Sequence, residues 1–85
     1  MAIQDDFDAA VVRVKDLPER PSNESLLELY GLFKQATVGD VSGDRPGMFD
    51  FKGQAKFDAW STLDGTSTED AMRTYIELVE KLVGG

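Results

Sequence analysis

The sequence predicts an all-α protein with four helices in a single domain that spans residues 1–85. Apolar residues recur at spacings of three and four in four segments, which is the period of an amphipathic helix. Helix-starting and helix-ending residues stand at the ends of these segments, and no segment shows the alternation typical of a β-strand. A chain of 85 residues is near the smallest size at which one hydrophobic core suffices without disulfides or a metal.

The first helix is predicted to begin after Asp5 and Asp6, because carboxylates suit the positive end of the helix dipole. Pro18 is predicted to end it, since proline lacks an N–H and restricts the residue before it. Between these limits, the apolar residues that share the helical period are Phe7, Ala10, Val11, Val14 and Leu17.

The second helix is predicted to run from Ser22–Asn23, both good N-caps, to about Thr37. Its apolar face divides into two stripes whose centres lie roughly 110° apart, at ~100° per residue. The stripe predicted to pack in the core consists of Leu26, Leu29, Phe33 and Ala36. The stripe predicted to face a groove consists of Leu27, Tyr30 and Lys34.

Residues 38–50 have no helical period and are rich in glycine, aspartate, serine and proline. They are predicted to form a long loop, a kind of segment that often carries function. The third helix is predicted from Lys52 to Leu63, with Trp60 in the core. Its other inward-facing residues are predicted to be Ala55, Ala59 and Leu63.

Asp64 and Gly65 are predicted to separate the third helix from the fourth, which opens at Thr66–Ser67. Both Thr66-x-x-Glu69 and Ser67-x-x-Asp70 fit or approximate a capping box, which is a helix-start pattern. The broad apolar face of the fourth helix contains Met72, Tyr75, Ile76, Val79, Leu82 and Val83, and Gly84–Gly85 end the helix.

The composition removes much catalytic chemistry. The chain has no cysteine and no histidine, so it has no thiol nucleophile, no histidine-dependent triad and no histidine or thiolate metal ligand. A net charge of −7 argues against binding to nucleic acid or to an anionic membrane surface. The N-terminal residues do not resemble a signal peptide, and no apolar stretch approaches the ~20 residues that span a bilayer. These features predict a cytoplasmic protein without stable membrane insertion.

Positive charge is concentrated in the middle of the chain. Residues 31–57 hold four basic and three acidic residues, whereas the remainder holds five basic and thirteen acidic residues. Tyr30 and Lys34 are one turn apart on the second predicted helix, and Lys52 and Lys56 are one turn apart on the third. Four such donors on two adjacent elements suit a doubly charged phosphomonoester.

Ordinary structural roles are the alternative interpretation of these residues. Lysines at a spacing of four often lie on a solvated helix face, and Asp50 or Asp58 can pair with Lys52 and Lys56. Taken alone, Tyr75 is predicted to lie in the core with its hydroxyl at the edge.

The order of these motifs resembles the acyl-CoA-binding protein family. The central motif of the match is Tyr30-x-x-Phe33-Lys34-Gln35-Ala36-Thr37-x-Gly39-Asp40. It continues with Arg45-Pro46-Gly47-Met48. Lys52-Gly53-x-Ala55-Lys56-x-x-Ala59-Trp60, Gly65-Thr66-Ser67 and Ala71-Met72-x-x-Tyr75 follow without a gap. The resemblance covers residues 7–83, from the opening Phe7-Asp8-x-Ala10 onward.

The resemblance implies an up-down-down-up four-helix bundle that binds one acyl-CoA thioester and no cofactor. It implies that Tyr30, Lys34 and Lys56 bind the 3′-phosphate of the CoA. The other head-group contacts that it implies are Lys15, Lys52 and Tyr75, and the segment forming one wall is Tyr30, Gly31, Leu32, Phe33 and Lys34. Our candidates for the groove that takes the acyl chain are Leu26, Leu27, Met48 and Phe51.

The chain departs from the usual family pattern at several positions. Phe33 replaces a common tyrosine, Gln54 a common lysine and Phe57 a common tryptophan. The phosphate-binding set is retained, and only the affinity is expected to change.

The predicted function is therefore that of a monomeric, non-enzymatic carrier and pool former for medium- to long-chain acyl-CoA, which meets acyl-CoA-using enzymes transiently. A helical interaction module that binds an apolar partner helix in the groove is the first alternative. A weak thioesterase that uses a carboxylate to activate water is the second.

Overall fold

The computed structural model describes residues 2–84, and these residues fold into four α-helices. They span Ile3–Arg13 (α1), Asn23–Thr37 (α2), Phe51–Ser61 (α3) and Thr68–Gly84 (α4), and a 3₁₀ turn at Val14–Asp16 extends α1. No strand occurs among these residues. The predicted all-α fold with four helices is therefore confirmed.

The helix starts agree with the predicted capping residues except in α1. Ser22 caps α2 by accepting a hydrogen bond from the Ser25 N–H at 3.1 Å, and Ser67 accepts one from the Asp70 N–H at 3.0 Å. In contrast, α1 begins at Ile3, so Asp5 and Asp6 lie in its first turn and do not precede it. Carboxylates favour the positive helix end from within the first turn as well as from the cap, and the sequence pattern does not distinguish the two positions.

The hydrophobic core joins α1, α2 and α4. α2 packs against α4 and α3, and α1 packs against α4. The apolar side chains buried together are Phe7, Ala10, Leu29, Leu32, Ala36, Ala71, Tyr75 and Val79. By contrast, α3 buries only Trp60, as predicted for that residue.

The predicted division of α2 into a core stripe and a groove stripe is partly wrong. Leu29 and Ala36 are buried as predicted, whereas Phe33 is 38% exposed and Leu26 lines a groove. Leu32, which was assigned to a binding wall, lies in the core. α2 packs against both α4 and α3, so its buried residues spread beyond the predicted core stripe.

A glycine permits the close approach of α2 and α3. A Cβ atom added to Gly31 would lie 2.8 Å from the carbonyl oxygen of Ala59, which is closer than van der Waals contact allows. Gly31 is buried within α2. Its place in the sequence pattern is therefore explained by helix packing, since any side chain there would push the two helices apart.

A buried amide network fixes the start of the loop that follows α2. The Gln35 side chain is completely buried, and its Nε2 donates to Asp40 Oδ1 at 2.9 Å and to the Thr66 carbonyl at 2.7 Å. Asp40 Oδ1 also accepts from the Gly65 N–H at 2.8 Å. The hydrogen bonds of this N–H and of Gln35 lower the pKa of Asp40. The loop after α2 is thereby joined to the connection between α3 and α4.

Three further polar contacts hold residues 38–50 against α3. Trp60 Nε1 donates to the Gly39 carbonyl at 2.8 Å. Arg45 makes a bidentate pair with Asp58, with both N–O distances at 2.9 Å. Gln54 Nε2 donates to the carbonyls of Pro46 and Gly47 at 3.1 and 2.9 Å. The long loop is therefore anchored at several points, and its position relative to α3 is defined.

Candidate functional site

A groove of about 500 Å³ lies between α2 and the start of α3. We call it the α2–α3 groove. The residues that line it are Arg20, Asn23, Leu26, Leu27, Tyr30, Phe51, Lys52, Ala55 and Lys56. α3 packs closely against α2 at Gly31 and Ala59, which follow the lining residues Tyr30 and Lys56 along the two helices. The lining combines apolar side chains with three basic ones, which suits a ligand with an apolar chain and an anionic group.

Three of the four predicted acyl-groove residues line this groove, namely Leu26, Leu27 and Phe51. Met48 does not line it and is 70% exposed in the loop before α3. Met48 lies in a turn whose path is fixed by the hydrogen bonds of Gln54 to the preceding carbonyls, and such tertiary bonds are not visible in a sequence period.

Two lysines lie over aromatic rings beside the groove. Lys56 Nζ is 5.4 Å from the centre of the Tyr30 ring, and Lys34 Nζ is 4.9 Å from the centre of the Trp60 ring. Both distances are typical of cation–π contacts. The structure thus brings Tyr30 of α2 together with Lys56 of α3, as expected for two side chains that bind the same group.

The acidic residues that were the predicted partners of these lysines have other roles. Asp50 caps α3 by accepting a hydrogen bond from the Gly53 N–H at 3.0 Å. Asp58 is paired with Arg45, which lowers the pKa of that carboxyl group. Within residues 2–84, no carboxylate lies within ion-pair distance of Lys52 or Lys56. Their ammonium groups therefore remain available for an anion.

Tyr75, Phe33 and Lys15 lie outside the lining of the α2–α3 groove. Tyr75 is 4% exposed, and burial raises the pKa of its hydroxyl. Its ring meets the Phe7 ring edge-on at 5.0 Å between centres, and Phe33 stacks on Phe7 at 6.0 Å. Lys15 is exposed in the 3₁₀ turn after α1. Contact of these three residues with a ligand stays a prediction.

The predicted wall along Tyr30–Lys34 contains residues in different environments. Tyr30 lines the groove and Lys34 lies on Trp60, whereas Gly31 and Leu32 are buried. Gly31 and Leu32 therefore act through helix packing in this structure, and a direct ligand contact by either stays a prediction.

Arg20 and Asn23 also line the groove, and neither was among the predicted site residues. Arg20 Nη1 donates to Asn23 Oδ1 at 3.2 Å, across the start of α2. The sequence signal that could have indicated them is their position at the start of α2, the helix that carries the predicted groove stripe.

The described part of the chain contains no helix that is long and apolar enough to cross a membrane. It also contains no group of three or more acidic side chains arranged to hold a metal ion.

These observations define the class of protein as a small helical bundle with an open groove whose lining combines apolar and basic side chains. The sequence profile of the family described as "Acyl CoA binding protein" matches residues 4–79. The chain belongs to this family.

Individual relatives agree with the family profile. The acyl-CoA-binding protein of Ricinus communis is 50% identical over 84 residues, which cover 99% of this chain and 93% of the relative. The acyl-CoA-binding protein homolog 1 of Caenorhabditis elegans is 53% identical over 77 residues, which cover 91% and 90%. The crystal structure of Oryza sativa Acyl-CoA-Binding Protein 2 superposes with a TM-score of 0.92 at 46% identity and covers 96% of this chain and 89% of that one.

Proposed function

We propose that this protein binds medium- to long-chain acyl-CoA thioesters in the α2–α3 groove and acts as a carrier and pool former. The main support for this proposal is that apolar and basic side chains line the same groove. The names of its relatives, which are acyl-CoA-binding proteins, agree with it.

The groove favours a division of labour between the two parts of such a ligand. Tyr30 and Lys56 adjoin each other, and with Lys34 they would bind the 3′-phosphate of the CoA. Leu26, Leu27 and Phe51 would contact the acyl chain. Each buried methylene contributes about 0.8 kcal/mol, so the chain supplies much of the affinity while the head group selects CoA over other anions.

We propose no catalytic step. The chain lacks histidine and cysteine, and the carboxylates of Asp50 and Asp58 near the groove already cap α3 and pair with Arg45. A cytoplasmic monomer that meets acyl-CoA-using enzymes transiently is part of the same proposal.

A helical interaction module is the second candidate function. It is favoured by the exposure of three large apolar side chains in the turn before α3 and at its first residue: Met48 is 70%, Phe49 is 89% and Phe51 is 74% exposed. An exposed apolar patch of this kind often marks an interaction surface. In this candidate, substitution of Lys56 would leave binding to the partner unchanged.

One calorimetric titration separates these functions. We expect palmitoyl-CoA to bind at one site per chain, and both palmitate and free CoA to bind far more weakly. Equal affinity for palmitate would overturn recognition of the CoA group. A thiol assay on the same mixture should show no release above the uncatalysed rate, because steady release would make the protein a thioesterase.

A further inference from the structure

A second groove of about 280 Å³ lies beside the α2–α3 groove. We call it the distal groove. It is lined by Leu27, Glu28, Leu32, Ala59, Thr62, Leu63 and Thr74, from α2, α3, α4 and the turn after α3. Leu27 lines both grooves. Leu27 therefore borders both spaces.

The chemistry of the distal groove differs from that of the first. The α2–α3 groove is lined by Arg20, Lys52 and Lys56, whereas the charged residue in the distal lining is Glu28. An anionic head group is therefore disfavoured in the distal groove, and an uncharged apolar chain is not.

The hydroxyl of Thr62 in the distal lining does not oppose an apolar occupant. The hydroxyl of Thr62 donates to the Ala59 carbonyl at 2.8 Å, so its hydrogen-bonding need is met within α3. Leu32 and Leu63 add apolar surface. The occupant that fits this lining is a hydrocarbon chain end.

The α2–α3 groove would hold the acyl chain beside the anionic head group, because Tyr30 and Lys56 belong to the same lining. The distal groove of about 280 Å³ adds apolar space that also borders Leu27. A chain too long for the first groove therefore has an unused apolar space next to Leu27.

We infer that Leu27 is a specificity-determining residue: its side chain closes the α2–α3 groove and limits the chain length that gains affinity, and its truncation opens the distal groove to longer acyl chains. This inference rests on the proposed function, because it names the substrate length that the same groove selects.

The test is a series of saturated acyl-CoA esters from about 8 to about 24 carbons, each titrated below its critical micelle concentration. In the unsubstituted protein, we expect affinity to rise with length by at most about fourfold per methylene and to level off before 24 carbons. In Leu27→Ala, we expect the affinity of the 24-carbon ester relative to the 16-carbon ester to rise at least tenfold.

Leu26→Ala is the matched control. Leu26 is the neighbouring leucine and lines the α2–α3 groove without lining the distal one. The same truncation there should weaken binding of both esters and leave their ratio unchanged. Leu27→Val replaces Leu27→Ala in the test if Leu27→Ala does not fold. It should raise the affinity of the 24-carbon ester relative to the 16-carbon ester by a smaller factor.

A blocking variant tests whether the longer chain enters the distal groove. Thr74 is exposed and lines that groove from α4. Adding Thr74→Phe to Leu27→Ala should remove the gain for the 24-carbon ester while binding of the 8-carbon ester stays the same.

The outcomes separate this inference from the proposed function. If the unsubstituted protein does not bind palmitoyl-CoA, the proposed function fails. If it binds palmitoyl-CoA but both Leu27 variants keep the original ratio, the role of Leu27 is wrong and the proposed function stands. Continued gain up to 24 carbons in the unsubstituted protein, or an equal rise in Leu26→Ala, would also overturn the role of Leu27.

Discussion

The two sides of α2 are held together in different ways. On the side of α1 and α4, apolar side chains are buried in one cluster, among them Phe7 and Val79. On the other side, α3 buries only Trp60 and is anchored to the preceding loop by hydrogen bonds and the Arg45–Asp58 pair. The first side therefore supplies most of the folding free energy, whereas the second leaves apolar and cationic groups free for a ligand.

This difference predicts that stability and binding can be changed separately. Burial of apolar surface is the dominant favourable term in folding, and exposed polar contacts contribute little by comparison. Substitutions in the core cluster should lower the free energy of unfolding, and substitutions in the α2–α3 groove should lower affinity.

Phe7→Ala should have the largest effect on stability. Phe7 on α1 is 2% exposed, and its ring packs against the rings of Phe33 on α2 and Tyr75 on α4. Truncation of a buried phenylalanine costs about 3–5 kcal/mol, which urea unfolding followed by circular dichroism measures. Phe51→Ala is the matched control, because Phe51 is 74% exposed. It should change stability by less than about 0.5 kcal/mol and weaken binding of palmitoyl-CoA. Equal destabilisation by both variants would contradict the division between the two sides.

Lys34→Ala and Lys56→Ala should have the next largest effect, on affinity. Under the proposed function, each would remove a charge-assisted hydrogen bond to the phosphate, which contributes about 1.5–3 kcal/mol, while the melting temperature should change little. Lys81→Ala, on the exposed end of α4, controls for the loss of one positive charge.

A 3′-dephospho ligand tests the same assignment independently. It should bind the unsubstituted protein more weakly than the normal ester, and both lysine variants should discriminate less between the two ligands. If the variants bind normally, the phosphate site lies elsewhere on the protein.

The sequence predicted the helices well because their signals are local. The periods of apolar residues and the caps at Ser22 and Ser67 depend on neighbours within a turn, and they predicted the class and number of elements. The groove side chains Tyr30 and Lys56 were also identified, although they come from separate helices.

The features that escaped the sequence depend on which helix covers which face. Leu32 was predicted in the wall of the site but lies in the core, since α2 has neighbours on two sides. Leu26 was predicted both on the core stripe and in the acyl groove, and it lines the groove. The complete burial of Gln35 was not predicted either, because its partner at Thr66 is 31 residues away. A polar side chain with such a distant partner leaves no local pattern.

Phe33→Tyr should have the smallest effect and tests the boundary between the two sides. Phe33 stacks on buried Phe7 at 6.0 Å between ring centres and is itself 38% exposed, so an added hydroxyl can reach solvent or a ligand. We expect the free energy of unfolding to change by less than about 1 kcal/mol, and affinity for palmitoyl-CoA to rise by no more than roughly one neutral hydrogen bond. Urea unfolding and calorimetry on the same preparation measure both quantities. A loss of several kcal/mol in stability with unchanged affinity would show that Phe33 belongs wholly to the core, and that Tyr30 is the aromatic contact of α2 with the ligand.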